Sequence, residues 1–154
     1  PAGVRMVALD ELLRESDVVS VHTTLTSETR HMIGARELAL MRPTAFFINT
    51  ARGGMVDEQA LYAALAGGKL AGAALDAFEL EPLPLESPLR TLPNVILTPH
   101  MIGHTREIFE AIPGAAIENI ERLMRGEPPL YWRNPEVEPR WRERLARLER
   151  TLES

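Results

Sequence analysis

Cysteine is absent from the 154 residues, which excludes disulfides, thiolate nucleophiles and sulfur-ligated metals. No apolar run approaches the roughly 18 to 20 residues that a bilayer span needs. The opening Pro1-Ala2-Gly3-Val4-Arg5 contains no hydrophobic stretch of the signal-peptide kind. A soluble cytoplasmic protein without a membrane partner is therefore expected. Basic residues are not in surplus either: 17 Lys and Arg stand against 22 Asp and Glu, a net charge of -5. Non-specific nucleic-acid binding requires clustered cations that displace counterions from phosphate, so no nucleic-acid partner is expected. Internal repeats and low-complexity tracts are missing. Of the four histidines only His100 and His104 are closely spaced, and a pair without a third ligand does not make a zinc site.

What the chain does contain is a balance of 45% hydrophobic and 25% charged residues, suited to one globular domain with a real core. Helical and extended patterns alternate along it. A short helix over Leu9–Glu15 precedes a buried strand, Asp17–His22, and a polar loop in which Thr26 or Ser27 can cap a turn. A helix over Gly34–Met41 is stopped by Pro43. The strand Phe46–Asn49 then ends in Thr50-Ala51-Arg52-Gly53-Gly54. Asp57 can cap the next helix, and Gly67-Gly68 can end it.

A strand of small residues, Leu70–Asp76, a proline-rich loop from Glu81 to Pro93, and a fourth strand, Asn94–His100, follow. Thr105 can then cap a long helix reaching Arg125, with a kink or one-turn break expected at Pro113-Gly114. The last segment, 136–154, reads as an amphipathic helix with Trp141, Leu145, Leu148 and Leu152 on one stripe. From Arg140 onward it holds five arginines against three glutamates, read as solvated charges around a packing stripe. Strands separated by helices at this spacing predict an α/β fold built on a mostly parallel sheet. The strand interiors lack polar alternation, as expected where helices cover both faces.

Parallel strands bring their carboxyl ends to one edge, where open α/β sheets bind ligands. The four strands finish at His22, at Asn49 with Arg52 beyond, at Asp76 with Glu81 beyond, and at His100. The guanidinium of Arg52 can grip a carboxylate with two parallel hydrogen bonds, so its ligand would be an organic acid. A carboxylate such as Glu81 beside His100 would orient the imidazole and favour its protonated form. Together the pair could pass a proton to or from a substrate oxygen. Asp76, set deeper, could accept from an amide or ring donor of a cofactor.

The runs Asp17-Val18-Val19-Ser20-Val21-His22, Asn49-Thr50-Ala51-Arg52-Gly53-Gly54, Ala73 to Pro82 and Thr98-Pro99-His100 occur in one order. In that order they resemble the D-isomer-specific 2-hydroxyacid dehydrogenases over nearly all of residues 4 to 135. The resemblance implies a doubly wound, Rossmann-type dinucleotide-binding domain and an NAD(P)-dependent oxidoreductase that interconverts a D-2-hydroxy acid and its 2-keto acid. It implies that Arg52 binds the substrate carboxylate, that Glu81 partners His100, and that His100 is the acid/base residue. It places Asp76, Thr50 and Ala51 near the nicotinamide, His22, Thr23 and Thr24 along the adenosine half, and Gly103 where the chain passes close to the cofactor. The cofactor would be NAD or NADP, the substrate a small 2-hydroxy or 2-keto acid, and the complete enzyme a homodimer. Glu81 also sets the chain apart from formate dehydrogenase, a relative with glutamine there whose reaction transfers no proton.

The departures from the family pattern are Thr24 in place of proline, Pro113 inside a helix, and the absence of any Gly-x-Gly-x-x-Gly after a strand. That loop holds the pyrophosphate. Residues 1–135 are accordingly read as the carboxyl-terminal part of the NAD(P)-binding domain, truncated in its N-terminal half, with 136–154 as a terminal helix or tail. Such a chain is expected to be inactive alone. A nucleotide-sensing, corepressor-like interaction module and an inert fragment are the alternatives.

Overall fold

The computed structural model describes residues 3–152, and the chain divides into two compact units, Pro1–Gly103 and His104–Ser154. Among the described residues no helix is long and apolar enough to cross a membrane.

The first unit runs α1 (Leu9–Glu15), β1 (Val18–Val21), α2 (Ala35–Leu40), β2 (Phe46–Asn49), α3 (Glu58–Ala66), β3 (Gly72–Leu75) and β4 (Val95–Leu97). Its four strands form one sheet in the order β1-β2-β3-β4, every pair parallel. This is the α/β architecture that the alternation of patterns predicts. The register aligns Val21 with Asn49, Asn49 with Leu75, and Leu75 with Leu97. All four carboxyl ends therefore reach the same edge.

Local chemistry explains the element ends. The Asp57 carboxylate accepts from the amides of Gln59 and Ala60 and so starts α3, satisfying donors that have no partner within the helix. Gly68 closes it with φ +65, a conformation costly for residues with a β-carbon. Thr26 Oγ1 accepts from the amides of Glu28 and Thr29, capping the turn expected in the polar loop.

Alternate strand residues, Val19, Val21, Phe47, Ala73 and Leu75, pack with Leu13 of α1, Leu38 of α2 and Leu61 and Leu65 of α3 into one core. The other face carries Val18, Phe46 and Ile96, which are 53%, 50% and 67% exposed. The lack of polar alternation predicts cover on both faces. In this unit the helices cover one face, and the apolar residues of the other stay open.

The second unit holds α4 (Arg106–Met124) and α5 (Glu138–Leu152). Thr105 caps α4 by accepting from the Ile108 amide at 3.4 Å. The break expected at Pro113 does not occur, and the helix runs unbroken through it. Proline removes one amide donor and leaves the carbonyl four residues earlier, that of Phe109, without its helical partner. Phe109 is 62% exposed, so that carbonyl loses little by turning to solvent. On α5, Trp141 packs edge-on against Trp132 with ring centroids 5.6 Å apart, and Leu145 is half-buried. The side chains of Leu148 and Leu152 lie outside the described residues.

Candidate active site

The loop after β2 is shaped by Asn49, whose side chain is fully buried. Its Nδ2 donates to the Arg52 carbonyl at 2.9 Å, and its Oδ1 accepts from the Ala51 amide at 3.1 Å. With both ends of the amide engaged, the turn is clamped and Arg52 projects from the sheet edge. The Arg52 guanidinium is exposed, and Nη1 donates to the Ala51 carbonyl at 2.6 Å. Its other donors have no partner among the described residues.

Beyond β3, Asp76 is 2% exposed and accepts three hydrogen bonds from the segment after β4. Thr98 Oγ1 lies at 2.5 Å, the Met101 amide at 2.9 Å and the Ile102 amide at 3.1 Å. Burial alone raises its pKa, but the Thr98 hydroxyl, the two amides and the charge of His100 outweigh it and hold the carboxyl below the ordinary aspartate value. Asp76 thus organises the loop that carries His100. The backbone of His100 has φ 55, a left-handed conformation uncommon for residues other than glycine and frequent at functional sites.

The Nδ1 of His100 lies 2.8 Å from Glu81 Oε2, while Glu81 Oε1 accepts from the Phe78 amide at 2.9 Å. The Phe78 amide is the largest influence on Glu81. Together with the bond to His100, its charge and that of Arg52, it overcomes burial and keeps the carboxyl below the usual glutamate value. An ionised Glu81 demands a proton on Nδ1, which leaves Nε2 as the nitrogen that can exchange a proton with a ligand. The imidazole is 42% exposed and the carboxylate 37%, so the pair is open to a ligand.

Two cavities mark this edge. One, of 440 Å³, is bordered by Glu81, Arg90, Thr98 and His100 with apolar Phe78 and Leu97. The other, of 550 Å³, is bordered by His22, Thr23, Thr24, Leu25, Ala51 and Arg52. The hydroxyls of Thr23 and Thr24 have no hydrogen-bond partner among the described residues. Hydroxyls, an imidazole and a guanidinium around one cavity form a donor set that fits the ribose and phosphate oxygens of a dinucleotide. Thr50 and Gly103 line neither cavity. Thr50 is half-buried within the clamped turn, and Gly103 is exposed with open space about its α-carbon.

Residues 1–102 match the family model described as D-isomer specific 2-hydroxyacid dehydrogenase, NAD binding domain. The chain belongs to this family. Among 2-hydroxyacid dehydrogenase relatives, the glyoxylate reductase of Korarchaeum cryptofilum is 47% identical over 135 residues, covering 88% of this chain and 41% of that protein. The D-3-phosphoglycerate dehydrogenase of Methanocaldococcus jannaschii is 47% identical over 126 residues, 81% of this chain and 24% of the other. Of solved structures, the TT0316 protein from Thermus thermophilus superposes with a TM-score of 0.80 at 42% identity, covering 84% of this chain and 42% of that one. The chain therefore spans about two fifths of the length of the first of these relatives.

Two contributors to the site, Asn49 and Thr98, do not stand out in the sequence as site residues. Asn49 reads there only as a strand end. Its signal is a polar amide at a position that the strand pattern makes fully buried, since a buried amide must find partners.

Proposed function

We propose that this chain supplies the substrate-facing part of the NAD(P)-binding domain of an oxidoreductase that interconverts a D-2-hydroxy acid and its 2-keto acid. Residues 1–135 are assigned to that domain and 136–154 to a terminal tail. The observation that carries the reading is the 2.8 Å contact between His100 and Glu81 at the edge where Arg52 also emerges, near enough for its charge to act on Glu81.

A nicotinamide cofactor held along this edge would donate or accept the hydride. Arg52 grips the carboxylate of the acid and draws electron density from the adjoining carbonyl. In reduction, His100 Nε2 delivers a proton to the carbonyl oxygen, and in oxidation it takes the proton from the hydroxyl. Glu81 keeps the ring oriented through Nδ1 and stabilises the charge it acquires. Asp76 holds the loop bearing His100 and lies at the nicotinamide end. Thr50, Ala51 and Gly103 border the nicotinamide, and His22, Thr23 and Thr24 the adenosine half. The cofactor is NAD or NADP, the acid is of the glyoxylate, hydroxypyruvate or phosphoglycerate type, and the complete enzyme is a cytoplasmic homodimer. The 154 residues contain no Gly-x-Gly-x-x-Gly, so this stretch by itself is expected not to turn over.

A chimera tests the reading. Residues 1–135 replace the matching region of the Korarchaeum cryptofilum glyoxylate reductase, and reduction of glyoxylate is followed with NADH and NADPH. Turnover that disappears with His100→Gln supports the assignment. A folded chimera that binds cofactor and acid but is inactive, or whose turnover is indifferent to His100, overturns it.

A further inference from the structure

Glu58 and Glu79 lie 21 residues apart in the chain and clasp each other reciprocally. The Glu79 amide donates to Glu58 Oε1 at 2.6 Å, and the Glu58 amide donates to Glu79 Oε1 at 3.1 Å. His31 Nε2 lies 3.3 Å from the same Glu79 oxygen. Glu58 is the first residue of α3, which is anchored in the core by the fully buried Leu61. Its carboxylate is thus fixed to a rigid element, while its acceptor oxygen holds a loop.

That loop is the one that presents Glu81. The amides of Phe78 and Glu79 are consecutive donors, the first bound by Glu81 Oε1 and the second by Glu58 Oε1. The two N–H groups lie in adjoining peptide planes that meet at the Phe78 α-carbon, so holding the second restricts the turn through which the first is aimed. We propose that Glu58 is a positioning residue for the proton-transfer pair: by gripping the Glu79 amide it sets the 78–81 turn so that Glu81 meets His100. The proposal rests on the reading of His100 and Glu81 as that pair.

A plain helix-terminal role for Glu58 would stabilise α3 without reaching Glu81, and the titration of Glu81 separates the two. Burial, followed by the charges of Glu79 and Glu81, more than offsets the Glu79 amide and raises the Glu58 carboxyl above the ordinary glutamate value. Glu81 is held below it. As the pH falls Glu58 is thus favoured to take up its proton ahead of Glu81, and glutamine at position 58 mimics its neutral form.

The experiment is a carbon-detected carboxyl titration of the 154-residue chain by NMR, with core methyl spectra as the control for folding. The Glu81 midpoint is expected to stay depressed in Glu58→Gln, which keeps the acceptor oxygen. It is expected to move up toward the ordinary glutamate value in Glu58→Ala and in Glu58→Asp, which is one methylene too short to reach the amide. Should Glu58→Ala fail to fold, Glu58→Asp decides alone, because it retains the charge that favours a helix start. An unchanged Glu81 midpoint in the folded Ala or Asp variant overturns the proposal, as does a Gln variant that behaves like Ala. If the chimera is inactive while Glu81 responds as expected, the clasp stands as positioning for Glu81 and the catalytic reading falls separately.

Discussion

Gly53 lies directly against Phe78: a β-carbon built on Gly53 would come within 1.8 Å of the Phe78 carbonyl carbon and 2.0 Å of its oxygen. Gly53 follows Arg52, and the Phe78 amide is held by Glu81. The loop carrying the candidate acid-binding arginine and the loop carrying the carboxylate partner of the histidine thus touch backbone to backbone. Only a residue without a side chain permits the approach.

Gly53→Ala is accordingly expected to force the two loops apart. Overpacking of this kind typically costs about 1–3 kcal/mol, occasionally more. Urea unfolding of the chain measures the loss, and carboxyl NMR should show Glu81 titrating closer to an ordinary glutamate as its contacts loosen. A Gly53→Ala variant as stable as the parent would mean that the two backbones are not in contact.

Arg52 and His100 have different tasks, and their variants should differ in kind. In the chimera, His100→Gln removes the proton donor and is expected to lower kcat about 10²–10⁴-fold, the usual range for a general acid, with little change in cofactor affinity. Arg52→Lys keeps the charge but loses the two-pronged grip, so its main effect should be a raised KM for the acid. An equal loss of cofactor binding in both variants would count against this division.

Much of this arrangement was legible in the sequence, and the reason is local. The strands are apolar runs that stop at a polar or charged residue, and parallel pairing carries all of those stops to one edge. Asp57, Thr105 and Gly68 act on amides and carbonyls within a few positions of themselves, so their spacing suffices. The clasp between Glu58 and Glu79, the contact of Gly53 with Phe78 and the three donors on Asp76 join residues 21 to 26 positions apart. No periodicity encodes them. The exposure of one sheet face is not legible in the strands, because small and branched apolar residues look alike whether the face they line is covered or exposed.

Asn49 should be more than a strand terminus. Asn49→Ala leaves the Ala51 amide without its partner inside the unit and the Arg52 carbonyl with the Met55 amide alone, at roughly 1–3 kcal/mol for the donor left unsatisfied. Released from its clamp, Arg52 samples more orientations, so the chimera should show a raised KM for the acid as well as lower stability. A variant that loses stability but keeps its KM would show that Asn49 supports the fold without aiming Arg52.

The acid sensitivity of the chain should trace in part to Asp76. Its carboxyl is held below 3.8, the ordinary aspartate value, because the Thr98 hydroxyl and the Ile102 and Met101 amides all favour the ionised form over the opposing effect of burial. A carboxyl whose pKa is depressed on folding contributes stability that is fully present above its unfolded value and is lost as the pH falls through its folded value. Asp76→Asn replaces one acceptor oxygen by an amide donor that faces the Ile102 N–H or the Thr98 and Met101 donors, so the variant should be the less stable at neutral pH. That deficit should shrink on acidification below pH 3.8, as the wild-type carboxyl takes up its proton. Urea unfolding of both proteins at about pH 7 and at successively lower values below about 4 measures the gap. A gap that stays constant across this range would mean that the three donors do not set the ionisation of Asp76.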